Sequence, residues 1–191
     1  MEKTEPIVTK ALILVNLAVY VIAGIIGGSF LELNDKVLML LGQFNYFVLK
    51  YGWYFQLLTA MFVHINIVHL AFNMFWLYIL GTQCELTFGT KRYLAIYFTS
   101  GFFGNILTLY LLPLETISAG ASGAVFGIFG SLMAYSGFTR RRMFASIVYA
   151  IFILVLNAGF GVNVVAHFGG LLSGFILGCI YARRAKILYN V

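Results

Sequence analysis

Six apolar runs punctuated by short basic clusters constrain this chain more than any single motif does. They cover roughly Lys10–Gly28, Ile67–Gly81, Arg92–Leu112, Ser122–Phe138, Met143–Ala158 and Val164–Ala182. Of the 191 residues 62% are hydrophobic and only 9% are charged, a balance foreign to soluble globular domains. Each run is near or above the minimum of about 17 residues that lets a helix cross a bilayer of about 30 Å. In hydrocarbon every backbone polar group must be satisfied internally, so such runs fold as helices. The expectation is an all-α polytopic membrane protein with six transmembrane helices in a single domain over residues 1–191. The first run lacks a small-residue cleavage site and reads as a retained helix.

The net charge of +6 does not point to nucleic acid, because the basic residues sit in short clusters between the runs. It points to topology. With a cytoplasmic N-terminus, Lys3, Lys10, Lys91, Arg92, Arg140, Arg141, Arg142, Arg183, Arg184 and Lys186 lie inside, and only Lys36 and Lys50 lie outside. Ten against two is a strong positive-inside bias, and six spans bring the C-terminus back to the cytoplasm. The cell membrane is the expected location.

The long connection from Ser29 to His64 is too polar to span and too aromatic to be a plain loop. Phe44, Tyr46, Phe47, Tyr51, Trp53, Tyr54 and Phe55 interleave with Lys36 and Lys50, a composition suited to the headgroup region. It reads as an interfacial, partly helical insertion on the outer leaflet. The fifth run, rich in Ile, Val, Phe and Leu, reads as a lipid-facing element or gate.

Polar residues inside such runs are costly and carry the chemistry. Gly120-Ala121-Ser122-Gly123 opens the fourth run, so Ser122 falls at a helix start, where backbone N–H groups lack intrahelical acceptors. Those groups, with the positive end of the helix dipole, can hold an oxyanion. Gly120 and Gly123 permit a tight turn and close backbone approach beside the hydroxyl. Small residues then recur at Gly123, Gly127, Gly130 and Ala134. In the sixth run His167, Gly170, Gly174 and Gly178 share one face, so the histidine heads a complementary glycine stripe. Packing the two stripes together brings hydroxyl and imidazole into one layer.

The second run adds His69 and Asn73, four apart on one face. Under the topology above the second, fourth and sixth runs all travel inward, which places Ser122, His167, His69 and Asn73 at one depth near the outer surface. Ser122 and His167 form a nucleophile–base pair, and His69, Asn73 and the Ser122 N–H are available to an oxyanion. Asp35 is the sole aspartate, in the outer connection, and Glu85 lies at the opposite side, so a dyad fits better than a triad. Glu85 reads as a structural hydrogen-bonding acid, Asn105 as interhelical packing, and His64 as a solvated structural histidine.

An aspartyl protease needs two aspartates, and a zinc site of the H-E-x-x-H kind is absent. Cys84 and Cys179 have no metal or disulfide spacing and read as free thiols. Neither a metal nor a cofactor is expected. Intramembrane His and Asn also line ion paths, so a channel or transporter stays open, although the sequence has neither an internal repeat nor a ring of charges.

Leu58-Thr59-Ala60-Met61-Phe62-Val63-His64, His69-Leu70-Ala71-Phe72-Asn73-Met74, Gly81 to Glu85, Gly120-Ala121-Ser122-Gly123-Ala124 and His167-Phe168-Gly169-Gly170, in this order and spacing, resemble the rhomboid intramembrane serine proteases. The resemblance covers nearly the whole chain. It implies a six-helix core, a water-filled cavity open to the outer side, and cleavage of transmembrane segments of other proteins. It also implies Ser122 as nucleophile, His167 as base, His69 and Asn73 on the oxyanion side with Gly120 in support, and Phe126 packed on the base. The implied partners are transmembrane substrates and the lipid bilayer, without nucleic acid. Many relatives carry Trp-Arg where this chain has Phe55-Gln56, and glutamine cannot make the bidentate charged contacts of arginine. A non-catalytic rhomboid-like binder or chaperone of membrane helices is the alternative, although binding alone needs neither Ser122 nor His167.

Overall fold

The structure, a computed structural model, describes residues 5–157 and 162–189, the side chains of 157 and 184–189 excepted. Lys3, the end of the fifth run at Ala158, and the side chains of Arg184 and Lys186 lie outside the described residues. Helix α1 (Ile7–Gly27) leads into an insertion made of α2 (Asp35–Leu41), the short strand β1 (Gln43–Phe44), α3 (Asn45–Tyr51) and α4 (Gln56–Thr59). Then come α5 (Ile67–Trp76), α6 (Thr82–Phe88), α7 (Thr90–Leu111), the short strand β2 (Ile117–Ser118), α8 (Ser122–Thr139), α9 (Met143–Asn157) and α10 (Val164–Tyr189). A π-helical segment, Leu77–Gly81, joins α5 to α6, and the three make one rod from Ile67 to Phe88.

Among the described residues four helices are long and apolar enough to cross a membrane: Ile7–Gly27, Ile67–Phe88, Thr90–Leu111 and Val164–Arg183. Met143–Leu156 in α9 is a shorter apolar helix. Helix α8 has the length, with 18 residues, but glycines and serines dilute its apolar content. It can be so diluted because it is the central helix. Ten of its residues are buried, and α5, α7, α9 and α10 all pack on it.

Where α8 meets α10, side chains are replaced by backbone. A Cβ on Gly170 would strike the Gly123 carbonyl, one on Gly174 the Gly127 carbonyl, and one on Gly178 would lie 2.7 Å from the Ser131 Cα. The two stripes expected from the sequence are thus in contact, and dispersion between close backbones replaces the hydrophobic drive that lipid cannot supply. Gly104 of α7 presses on the Ala166 carbonyl in the same manner.

The rod Ile67–Phe88 runs past Gly81, where the apolar run ends. Thr82, Gln83 and Glu85 interrupt the hydropathy but not the helix, because Glu85 has partners inside the protein. Its carboxylate accepts from the Val8 N–H at 3.1 Å, the Thr9 N–H at 2.8 Å and the Thr9 hydroxyl at 2.8 Å. It thereby supplies acceptors to the first turn of α1, whose N–H groups have none within the helix. Helix α10 likewise continues beyond Ala182 to Tyr189, since Arg and Lys sustain helix as well as most apolar residues do.

The insertion is held by amides. Gln56 is fully buried: its Nε2 donates to the Met39 carbonyl at 2.6 Å and its Oε1 accepts from the Phe44 N–H at 3.0 Å. It anchors the insertion by neutral hydrogen bonds that a glutamine, with a donor and an acceptor on one head, makes and an arginine cannot. Asn45 donates to the Thr108 and Pro113 carbonyls, and β1 pairs antiparallel with β2, Gln43 opposite Ser118. Phe47 packs edge-on against Phe44 and Trp53, both at 4.8 Å between ring centres.

Glu85→Ala is expected to destabilise the protein through the α1 contact, by about 1–3 kcal/mol for each donor left buried without a partner. Thermal unfolding in detergent micelles, compared with wild type, checks this; an unchanged midpoint would remove Glu85 from that role.

Candidate active site

Three helices begin at one level, and each carries a polar residue in its first two turns. Ser122 is the first residue of α8, His167 the fourth of α10, and His69 and Asn73 the third and seventh of α5. At 1.5 Å per residue these offsets amount to less than two turns.

The Ser122 Oγ lies 2.8 Å from His167 Nε2, a hydrogen-bond distance that suits transfer of the hydroxyl proton to the ring. His167 is buried, and the ring of Phe126 stacks on it at 4.3 Å with 20° between planes. That stacking holds the imidazole face while its edge meets the hydroxyl. His167 Nδ1 has no hydrogen-bond partner among the described residues. Among the described residues no carboxylate hydrogen-bonds this ring: Glu85 is engaged at the far end of the rod, and Glu32 and Asp35 are exposed.

Gly120 has a φ of 131°, which L side chains rarely adopt, and the His69 ring occupies the space where its Cβ would stand, 2.8 Å from Cε1. The Gly120 N–H donates to the Ala60 carbonyl at 2.9 Å, and the Ala121 N–H donates to His64 Nε2 at 3.4 Å. The two peptides before the serine are thus fastened to the end of the insertion. This overturns the expectation for His64: it is fully buried, not solvated. Burial, aided by the nearby His69, pushes it down to about 3, so it stays neutral and its Nε2 lone pair remains an acceptor. Sequence spacing placed it outside the apolar run and so near water; the fold of the insertion over it decided otherwise.

Asn73 Nδ2 donates to the His69 carbonyl at 2.9 Å, leaving its second N–H for another acceptor. The Asn66 side chain caps this helix, accepting from the His69 N–H at 2.8 Å. Ser122, His167, His69, Asn73, Gly120 and Phe126 all line one cavity of about 880 Å³. Asn105 stands at its edge and, as expected for a packing group, donates to the Leu57 carbonyl at 2.8 Å. Asn163, which sequence spacing did not single out, also lines the cavity. It caps α10, accepting from the Ala166 N–H at 3.0 Å. An asparagine just before an apolar run was the available signal. No cluster of His, Cys, Asp and Glu fit for a metal exists among the described residues.

The chain matches the Rhomboid domain over residues 51–184. The chain belongs to the rhomboid family. It is 35% identical over 178 residues to Rhomboid protease GluP of Bacillus subtilis (strain 168), covering 90% of this chain and 34% of GluP. It is 36% identical over 159 residues to RHOMBOID-like protein 6, mitochondrial, of Arabidopsis thaliana, covering 71% of this chain and 52% of that protein. With Rhomboid-like protease 3 of Toxoplasma gondii it shares 30% over 178 residues, 88% of this chain and 67% of the relative. The chain therefore spans only about a third to two thirds of the length of these relatives. The family and the apolar helices together make it an integral, multi-pass membrane protein. The rhomboid segment begins within the insertion, so α1 lies outside the matched region.

Gly120→Ala is expected to leave the helices assembled but to displace His69 and strain the turn before Ser122 by about 1–3 kcal/mol. Loss of labelling by a fluorophosphonate probe, with an unchanged circular dichroism spectrum, is the anticipated result. Labelling at the wild-type rate would mean that the turn tolerates a side chain.

Proposed function

We propose that this protein is an intramembrane serine endopeptidase that hydrolyses peptide bonds in or near transmembrane helices of other membrane proteins. The observation that carries the reading is the Ser122–His167 contact at 2.8 Å inside a cavity that also holds His69 and Asn73. His167 Nε2 takes the hydroxyl proton as Ser122 Oγ attacks the scissile carbonyl carbon. The developing oxyanion is met by the Ser122 N–H, His69 and the second N–H of Asn73. Protonated His167 then gives its proton to the leaving amine, and the acyl-enzyme forms. Water, deprotonated by the same ring, releases the second product and restores the serine. The low local dielectric strengthens these hydrogen bonds and offsets the absence of an orienting carboxylate.

The proposed topology has six spans, with α8 and α9 added to the four long helices, and both termini cytoplasmic in the cell membrane. It rests on the ten-to-two distribution of basic residues. The insertion then lies on the outer leaflet, and the cavity opens outward. A non-catalytic binder would have no need of a serine and a histidine at hydrogen-bond distance, which favours the enzyme.

Ser122→Ala is expected to abolish cleavage of a model transmembrane substrate in vesicles, with folding retained; near-wild-type turnover would sink the proposal. Asn73→Ala should keep measurable activity, reduced roughly 10- to 1,000-fold, because two other donors remain. Helical backbone is hydrogen-bonded and covered, so the substrate must unwind locally to be cut. Mass spectrometry of the products is therefore expected to place the cut near the outer end of the substrate helix. A cut at the cytoplasmic end would refute the outward-opening site.

A further inference from the structure

We infer that Asn163 is a positioning residue that sets the separation of Ser122 and His167 by tying the serine's approach segment to the helix that carries the histidine. The inference rests on the protease reading for its kinetic consequences, while the geometry behind it is independent of that reading.

Both N–H groups and the oxygen of the Asn163 side chain are engaged. Its Oδ1 accepts from the Ala166 N–H at 3.0 Å, and its main-chain carbonyl accepts from the His167 N–H at 3.1 Å. Because the oxygen must face the Ala166 N–H, the amide orientation is settled, and Nδ2 points the other way. That nitrogen donates to the Ser118 hydroxyl at 2.8 Å and to the Thr108 hydroxyl at 2.9 Å. The Thr108 hydroxyl in turn donates to the Gly104 carbonyl at 3.0 Å. Gly104 is the residue on which Ala166 presses.

One side chain therefore joins three segments: the start of α10, the last turn of α7, and β2, which ends four residues before Ser122. Ser118 is itself buried and paired with Gln43 across the strand, so a pull on it is transmitted to Gly120 and Ser122 instead of dissipating in solvent. Phe126 of α8 also stacks on His167, but it bears on the ring and leaves the segment before Ser122 untouched, which Asn163 reaches through Ser118. The hydrogen bond between Ser122 and His167 is the element that must open and close during a cycle, so it cannot also be the spacer. Asn163 can.

Two functions of Asn163, capping and tethering, separate by mutation. Asn163→Ser retains a capping oxygen but has no reach to Ser118 and Thr108. Ser118→Ala removes one end of the tether without touching the cap. Both variants are expected to melt within a few degrees of wild type, while kcat on a transmembrane substrate falls about 10- to 100-fold, as for a small misplacement of reacting groups. KM should stay unchanged, since the loss is confined to the chemical step. The double variant should be no worse than the worse single variant, because both cut the same link. Hydrogen exchange at Gly120–Ser122 and Ala166–His167 should quicken in each variant.

Wild-type kcat in either variant, losses that multiply in the double variant, or unaltered exchange would overturn the inference. Should Asn163→Ser fail to fold, Ser118→Ala decides by the same measures. Should wild type show no Ser122-dependent cleavage, the protease reading fails, and the exchange measurement alone decides whether Asn163 is the tether.

Discussion

The close contact between α8 and α10 is the interaction on which the rest of the molecule depends. Glycine at 170 and 174 brings the α10 backbone so close to the carbonyls of Gly123 and Gly127 that no Cβ fits there. In lipid there is little hydrophobic gain from burying leucine against leucine, so dispersion between well-matched surfaces has to hold helices together. The contact also fixes rotation. A helix locked by a stripe of glycines can present only one face to its partner, and that face is headed by Ser122 on one side and His167 on the other. The 2.8 Å hydrogen bond is the visible end of a contact that runs down to Gly178 and Ser131.

Several buried polar groups are matched to backbone that a helix end or a turn has left without a partner. Glu85 meets the first turn of α1, and Asn66 and Asn163 cap α5 and α10. Gln56 and Asn45 close the insertion against exposed carbonyls. In an apolar surrounding an unmet donor or acceptor costs several times what it costs in water, so these pairings specify geometry more sharply than apolar packing does. They also explain why the insertion, with helices of seven residues or fewer, keeps a defined shape.

The insertion in turn shapes the site. Ala60 and His64 take the N–H groups of Gly120 and Ala121, and β1 pairs with β2 just before them. The turn that carries Ser122 is thus gripped from the insertion on one side and from α7 and α10, through Asn163, on the other. A serine at a free helix start would have several conformations open to it. Held between two bodies, it keeps one position beside His167 and the His69 ring.

Much of this was legible in the sequence because lipid enforces simple rules. Apolar runs become helices, small residues at a spacing of three or four become contact faces, and polar residues within a span mark chemistry. From these alone Ser122, His167, His69 and Asn73 fall at one depth, and the two glycine stripes find each other. What hydropathy could not convey is where a polar residue finds its partner. Helix 67–88 continues through Glu85 because α1 supplies N–H groups from 76 residues away in the chain. His64 is buried because the insertion folds over it, and Gln56 anchors that insertion with carbonyls of α2. Asn163 joins Ser118 and Thr108, which no periodicity relates to it. Helix formation and stripe packing depend on local spacing, which the sequence by itself determines. Hydrogen bonds between distant segments depend on where the chain returns, and only the tertiary structure decided those.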